Sequence, residues 1–152
     1  MMPAMSLIVV GVDGSEDGRK GLQWAFEEAR LRKATLRVVH AWVLLPPPAP
    51  IGLTPPMAPS AEEIDTLREA SEKLLELELS DVVGDDPGIS VERKSVEDLP
   101  AQALITEAAD ADLVVVGSRG HGGFAGLLLG SVSQQLAHHA PCPVVIVRQR
   151  GA

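Results

Sequence analysis

The stretch LVVVGSRGHGGFAGLLLGS, residues 113–131, joins a short apolar run to a segment with six glycines in its last fifteen positions. The run 113–116 is continuous and β-branched, which indicates a strand that is buried on both faces. Glycine loses more backbone entropy on folding than any other residue, so such a cluster marks a turn or a close approach of the backbone to another group. The stretch therefore predicts a parallel strand that leads into a binding loop.

A second stretch of the same form lies near the start of the chain. Residues 6–12, SLIVVGV, are followed by Asp13, Gly14 and Ser15, which predicts a buried strand, a turn and a helix N-cap. Further short apolar runs alternate with segments of helical periodicity. The predicted strands are 6–12, 35–41, 89–93, 113–116 and 143–147, and the predicted helices are 16–33, 60–82, 100–108 and 130–139.

This alternation of five strands with four helices predicts an α/β fold of the Rossmann-like kind. The sheet should be parallel and doubly wound, with helices on both faces, which gives a three-layer sandwich. In an open sheet of this type, ligands lie beyond the carboxyl ends of the strands, where the strand order reverses. The first and fourth strands, which both end in glycine-containing turns, are predicted to flank that point.

Composition limits the classes of function. The 152 residues, 45% of them hydrophobic, suit one domain over residues 1–152. A formal net charge of −8 argues against a nucleic-acid or anionic-membrane surface, because both require clustered Lys and Arg. The single cysteine, Cys142, and an N-terminus without a basic segment or a long apolar run lead us to expect a soluble cytoplasmic protein. Residues 43–60 hold seven prolines and are predicted to form a long loop.

Three phosphate-binding patterns can be compared with residues 117–131. A Walker A loop requires a lysine, and no lysine occurs from residue 95 to the end of the chain. A dinucleotide fingerprint should follow the first strand and be answered by an acidic residue at the end of the second, where this chain reads HAW. The third pattern is G-x2-G-x9-G-[ST]. Its positions are all present, as Gly117, Gly120, Gly130 and Ser131.

The physical chemistry of the third pattern favours a phosphate ligand. Glycines at 117 and 120 allow backbone N–H groups to approach a polyphosphate. Gly130 and Ser131 should open a helix whose first N–H groups and dipole favour anions, and the Ser131 hydroxyl adds a donor. The apolar residues 124–129 between them are predicted to fold over the phosphates as a lid.

Together these features resemble the universal stress protein family, in its ATP-binding branch. The resemblance covers nearly the whole chain, from VDGS at residues 12–15, through the glycine pattern, to the terminal CPVVIV at residues 142–147. It implies an adenine nucleotide alpha hydrolase-like fold with ATP as the ligand. By the resemblance, the phosphates contact Gly117, Ser118, Gly120, Gly130, Ser131 and Val132; Gly11, Val12 and Asp13 lie beside the nucleotide; Ala41 lines the adenine pocket; and Val116, His121 and Ser133 complete the site.

Two metal interpretations can be drawn from the residues. Asp13 is either a contact for a magnesium ion that accompanies the nucleotide or a residue that shapes the turn before the first helix. His121, His138, His139 and Cys142 match no closed zinc pattern. We expect His138 and His139 to lie in the last turn of a helix, where a cation is favoured.

The function implied by the resemblance is that of an ATP-binding stress-response or signalling module. A slow ATPase or autophosphorylating phosphotransferase, with Asp13 as metal ligand or base and Ser131 or Ser133 as acceptor, is the first alternative. A sensor or sink for AMP or a cyclic nucleotide in the same pocket is the second. The resemblance also implies a homodimer through the last strand, Val144 to Val147, which would protect an apolar sheet edge.

Overall fold

Five short apolar strands form one parallel sheet. The strands are β1 (Leu7–Gly11), β2 (Thr35–Trp42), β3 (Val91–Glu97), β4 (Leu113–Gly117) and β5 (Val144–Val147), and the helices are α1 (Glu16–Arg32), α2 (Ala61–Val82), α3 (Pro100–Glu107) and α4 (Ser131–His139). The sheet order is β3-β2-β1-β4-β5, with every pair parallel. This computed structural model describes residues 6–45, 50–52, 58–119 and 129–148.

The helices cover both faces of the sheet. On one face Leu22 of α1 and Leu75 of α2 join Ile8 of β1 in one apolar cluster. On the other face α3 and α4 contribute Leu104 and Leu136. The middle strands are therefore buried on both sides, which explains their continuous apolar runs. The predicted three-layer, doubly wound α/β fold is confirmed.

Local chemistry sets the helix starts. The hydroxyls of Ser15 and Ser60 accept hydrogen bonds from N–H groups in the first turns of α1 and α2. Pro100 occupies the first turn of α3, where its missing N–H costs nothing. The least accurate prediction is β3, which begins two residues later than expected and continues to Glu97. This edge strand carries many polar residues, so its extent is set by pairing with β2 up to Trp42, not by its own pattern.

The proline-rich segment is described only in part. Positions 43–45, 50–52 and 58–60 belong to no helix or strand, whereas 46–49 and 53–57 lie outside the described residues. Within the described ranges, no helix combines the length and apolar character needed to cross a membrane.

Candidate functional site at the β1 and β4 ends

The strand order reverses between β1 and β4. The chain moves outward from β1 to β2 and β3 on one side, and then returns to place β4 and β5 on the other. The two central strands pair directly, with Val10 opposite Val115. Gly11, at the end of β1, and Gly117, at the end of β4, therefore lie at the same edge of the sheet. This confirms the prediction that these strands flank the reversal point, where doubly wound sheets bind ligands.

Asp13 organises the turn between β1 and α1. One of its carboxylate oxygens, Oδ1, accepts hydrogen bonds from the Ser15 N–H at 2.9 Å and from the Ser15 hydroxyl. The same Ser15 oxygen accepts from the Gly18 N–H at 3.0 Å, which caps the helix. The turn-forming interpretation of Asp13 is thus visible in the structure, and its magnesium contact stays a prediction. In the part of the chain that the structure describes, no cluster of three or more His, Cys, Asp or Glu could hold a metal ion.

A buried carboxylate in α1 holds the segment after β4. Asp17 is 9% exposed, and its Oδ2 accepts from the Ser118 hydroxyl at 3.0 Å and from the Arg119 N–H at 3.1 Å. The Ser118 N–H donates to the carbonyl of Val147 at 2.9 Å. Both donors of Ser118 are therefore engaged within the protein, so in this arrangement Ser118 positions the loop.

The absence of a side chain at Gly117 permits this contact. A Cβ added there would lie 2.6 Å from the carbonyl carbon of Asp17, so only glycine allows the first turn of α1 to rest on the end of β4. Sequence reasoning did not identify Asp17 as part of the site. The only signal was an acidic residue in a first helical turn, because its partner Ser118 is 101 positions away.

The start of α4 is organised differently. Its N-cap is Gly130, which offers no side chain, and the Gly130 N–H donates to the Ser118 carbonyl at 2.6 Å. The first helical bond runs from the Gln134 N–H to the Gly130 carbonyl. The N–H groups of Ser131, Val132 and Ser133 precede that bond and have no acceptor within the helix.

Side chains in the first turn of α4 divide between solvent and protein. Ser131 is exposed and Val132 is half-buried. Ser133 is buried, and its hydroxyl lies 3.0 Å from the carbonyls of both Ser118 and Gly130. Ser133 therefore links the start of α4 to the loop after β4 by hydrogen bonds, whereas Ser131 is exposed to solvent.

The remaining predicted site residues fall in three places. Val12 and Val116 are buried, with 6% and 4% exposure, and their side chains pack in the core. Ala41 is half-buried on β2, opposite Val96 of β3. Gly120, His121 and lid residues 124–128 lie outside the described residues.

Carboxylates dominate the side-chain charge near this edge. Asp13, Glu16 and Asp17 all belong to the β1–α1 turn or the first turn of α1. Arg119, half-buried, follows Ser118 in the loop. Positive potential for an anion therefore depends mainly on backbone N–H groups and the dipole of α4.

Comparison with known proteins gives consistent matches. The family model described as "Universal stress protein family" matches residues 5–148. A universal stress protein of Mycolicibacterium smegmatis is 38% identical over 143 residues, which cover 94% of this chain and 46% of the relative. The chain thus spans about half the length of the curated relatives it matches.

Two of the similar solved structures are complexes with a nucleotide. One is a universal stress protein in complex with cAMP, 26% identical, with a TM-score of 0.61 over 96% of this chain and 98% of the other. The second is a universal stress protein from Archaeoglobus fulgidus in complex with dAMP, 25% identical, with a TM-score of 0.58 over 95% and 98% of the two chains.

Proposed function

The chain belongs to the universal stress protein family, and on that premise we propose that it binds an adenine nucleotide between the carboxyl ends of β1 and β4. The phosphates lie on the first turn of α4, and the nucleoside lies across the end of β1 toward β2. Occupancy of this site makes the protein an ATP-dependent module for stress response or signalling.

The observation that carries the proposal is the open start of α4. Its cap is a glycine without a side-chain hydrogen bond, and its first turn has no acidic residue. Three N–H groups and the helix dipole therefore face an anion without competition from the helix itself. The complexes of similar proteins with cAMP and dAMP support a phosphate of an adenine nucleotide as that anion.

The residues of the proposed site have different roles. Ser131 and Val132 donate backbone N–H groups to phosphate oxygens, and the Ser131 hydroxyl adds a further donor. Ser118 and Ser133 hold the loop that presents these donors. Gly11, Val12 and Asp13 border the nucleotide at the end of β1, and Ala41 lines the base pocket. Gly117, which follows Val116, permits the close approach of α1. Gly120 and His121 are proposed as further phosphate contacts.

ATP with Mg²⁺ is the ligand that we propose first, and Asp13 is the residue that would contact the magnesium ion. A nucleoside monophosphate or cyclic nucleotide is the second candidate, because the cAMP and dAMP in the two complexes described above each carry a single phosphate. The two candidates share one pocket and differ in the number of phosphates that α4 must accommodate.

Calorimetric titration of nucleotide-stripped protein tests this function. Mg-ATP, AMP and cAMP are titrated separately, with Mg-GTP as the control for base specificity, and released phosphate is assayed after overnight incubation. Saturable binding of an adenine nucleotide with much weaker binding of Mg-GTP supports the proposal. No binding of any adenine nucleotide would refute it, and phosphate release that follows protein concentration would establish a slow ATPase.

We also propose a homodimer through β5. This strand lies at one edge of the sheet and its four residues are half-buried valines and an isoleucine. The carbonyls of Pro143 and Val147 accept from β4, so the alternation of a strand directs the backbone groups of Val144 and Ile146 away from β4.

An Ile146→Pro variant removes one outward N–H donor of β5 without removing a hydrogen bond to β4. Light scattering should show a dimer for the parent protein and a monomer for this variant; a monomeric parent would contradict the proposal.

A further inference from the structure

Three hydrogen bonds connect Trp42 to His40 through two serines. The indole Nε1–H of Trp42 donates to the Ser95 hydroxyl at 2.9 Å. The Ser95 hydroxyl donates to Ser71 Oγ at 2.7 Å, and Ser71 Oγ lies 2.7 Å from His40 Nδ1. The residues belong to β2, β3 and α2, and Ser71 and Trp42 are buried. We refer to these four residues as the indole relay.

One end of the relay can only donate, which sets the direction of the hydrogen bonds as far as Ser71. An indole has an N–H donor and no acceptor. The Ser95 hydroxyl accepts from Trp42 and donates to Ser71, and the Ser71 hydroxyl has one proton, which it can donate to His40 Nδ1. Nδ1 is then an acceptor, so the ring is neutral and carries its hydrogen on Nε2.

The environment of His40 agrees with a neutral ring. Burial lowers the pKa of His40 below its ordinary value, and the negative charge of Asp13 opposes this shift only in part. A protonated ring would direct Nδ1–H at Ser71, and Ser71 would then have to turn its own proton away from the ring toward another acceptor. The relay therefore resists protonation.

The free ring nitrogen faces an accessible part of the molecule. Among the described residues, no buried side-chain nitrogen or oxygen lacks a hydrogen-bond partner. The hydrogen bond of the ring uses Nδ1, so Nε2 reaches solvent. Val39 pairs with Gly11, and the Val12 N–H donates to the Val39 carbonyl, which places His40 beside the end of β1. Its Nε2–H donor therefore lies at the edge of the sheet where the nucleoside is proposed.

We propose that His40 is a specificity-determining residue whose Nε2–H donates a hydrogen bond to an acceptor nitrogen of the purine ring. This inference rests on the proposed nucleotide site. The proposed phosphate site lies at the start of α4, which follows β4. In the sheet, β4 is two strands away from β2, or about 10 Å at the usual strand spacing. That separation suits the distance from a phosphate to the base of one nucleotide. A neutral donor fits a ring nitrogen, which is itself uncharged.

The relay gives His40 its selectivity by holding one tautomer. A ring free to exchange tautomers would present an acceptor for part of the time, and an exocyclic amino group could then replace the ring nitrogen. When Nδ1 accepts from the Ser71 hydroxyl, Nε2 carries the ring hydrogen and only a donor faces the ligand. Ser71 and Ser95 are positioning residues in this account, because they act on the ligand only through the ring.

Binding measurements with modified nucleotides test the contact. Mg-ATP is compared with its 1-deaza, 3-deaza and 7-deaza analogues, each of which replaces one ring nitrogen by C–H. The parent protein should bind one analogue about five- to tenfold more weakly than ATP, as expected for a neutral hydrogen bond. In His40→Phe that difference should disappear. His40→Gln, whose amide can accept from Ser71 and still donate, should retain most of it, and His139→Phe on the exposed end of α4 should behave as the parent.

Nitrogen NMR of the histidine rings tests the relay separately. The parent protein should show Nδ1 as an acceptor and Nε2 protonated in His40 at neutral pH, and Ser71→Ala should show mixed tautomers with a smaller analogue preference. Equal binding of ATP and all three analogues by the parent, or a preference that survives in His40→Phe, would overturn the inference while leaving the nucleotide site intact. Failure of the parent to bind any nucleotide would overturn both.

Discussion

Helices α1 and α4 both begin at the edge of the sheet where β1 and β4 end, but the N–H groups of their first turns are satisfied in different ways. At α1 the Ser15 side chain caps the helix, Asp13 holds that serine, and the acidic residues Glu16 and Asp17 occupy the first turn. At α4 the cap is Gly130, and neither a side-chain cap nor an acidic residue is present in the first turn.

The difference indicates which helix is available to a ligand. At the start of α1 the Ser15 hydroxyl already accepts from an N–H group, and the nearby carboxylates favour the dipole, so an external phosphate would meet negative charge there. The start of α4 offers the same donors without an internal anion. The sequence has one arginine in the loop after β4, so in the proposed site the N–H groups and dipole of α4 would attract the phosphates in place of a cluster of cations.

The largest effect is expected where the two regions touch, at Gly117. Gly117→Ala places a methyl group against the Asp17 carbonyl, where backbone meets backbone, so the free energy of unfolding should fall by about 3 kcal/mol. Gly84→Ala is the control: it has a left-handed φ of 76° but open space around it, and it should cost about 1 kcal/mol. Urea unfolding followed by tryptophan fluorescence measures both. Equal costs would mean that α1 does not rest on β4.

Adding an anion to α4 should make it behave like α1. Ser131→Asp keeps the helix and favours its dipole by about 0.3–1 kcal/mol, but it repels phosphate. At an effective dielectric constant of about 20, two unit charges about 7 Å apart repel by about 2.4 kcal/mol. Affinity for Mg-ATP should therefore fall by about ten- to fiftyfold, the smaller loss applying at physiological salt.

Ala61→Asp is the matched control for this change, because Ala61, like Ser131, is the first residue of its helix. It should raise stability by a similar amount and leave affinity unchanged. Calorimetry and thermal unfolding on both variants separate the two effects. An Ser131→Asp protein that binds Mg-ATP as tightly as the parent would place the phosphates elsewhere.

Removing the internal anion of α1 should loosen the loop after β4. Asp17→Ala deletes the acceptor for Ser118 and Arg119 and should lower the free energy of unfolding by about 2 kcal/mol. Asp17→Asn keeps one acceptor oxygen and should lose about half as much. Glu62, at the same helix position in α2, is exposed, and Glu62→Ala should cost about 0.5 kcal/mol. Chemical unfolding measures these losses. If Asp17→Ala lowered the free energy of unfolding no more than Glu62→Ala, the contribution of Asp17 would be limited to its interaction with the helix dipole.

The smallest effect is expected from the helix cap itself. Ser15→Ala removes the bond to the Gly18 N–H and should cost about 1 kcal/mol. Ser60→Ala removes the equivalent bond in α2 and should cost about the same or slightly less, because Ser60 lacks the additional bonds to an aspartate that Ser15 makes. Thermal unfolding of the two variants measures the difference. A smaller loss for Ser15→Ala would contradict the picture of a closed α1 start.

Much of this architecture could be predicted from the sequence because its signals are local. Continuous apolar runs predicted the central strands, and Ser15, Ser60 and Pro100 predicted the helix starts. The glycine-containing turns after the first and fourth strands predicted that β1 and β4 flank the point where the strand order reverses. The β3 boundaries were less accurate, because an edge strand with polar residues takes its extent from its neighbour.

The contacts that depend on tertiary pairing could not be predicted. Asp17 meets Ser118 only because α1 crosses the end of β4, and the sequence between them gives no sign of that crossing. The indole relay depends on the β2–β3 register, which sets His40 opposite Ser95, and on the placement of Ser71 in α2. His40 and Ser71 each looked like ordinary residues of a strand and a helix.

Backbone amide NMR during titration with Mg-ATP tests the central claim most directly, because it observes the N–H groups of both helix starts in one sample. The account predicts that the Ser131 and Val132 amide signals shift and saturate with the nucleotide, while the Gly18 amide, already bonded to Ser15, moves little. Shifts confined to the first turn of α1, with Ser131 and Val132 unchanged at saturating nucleotide, would contradict it.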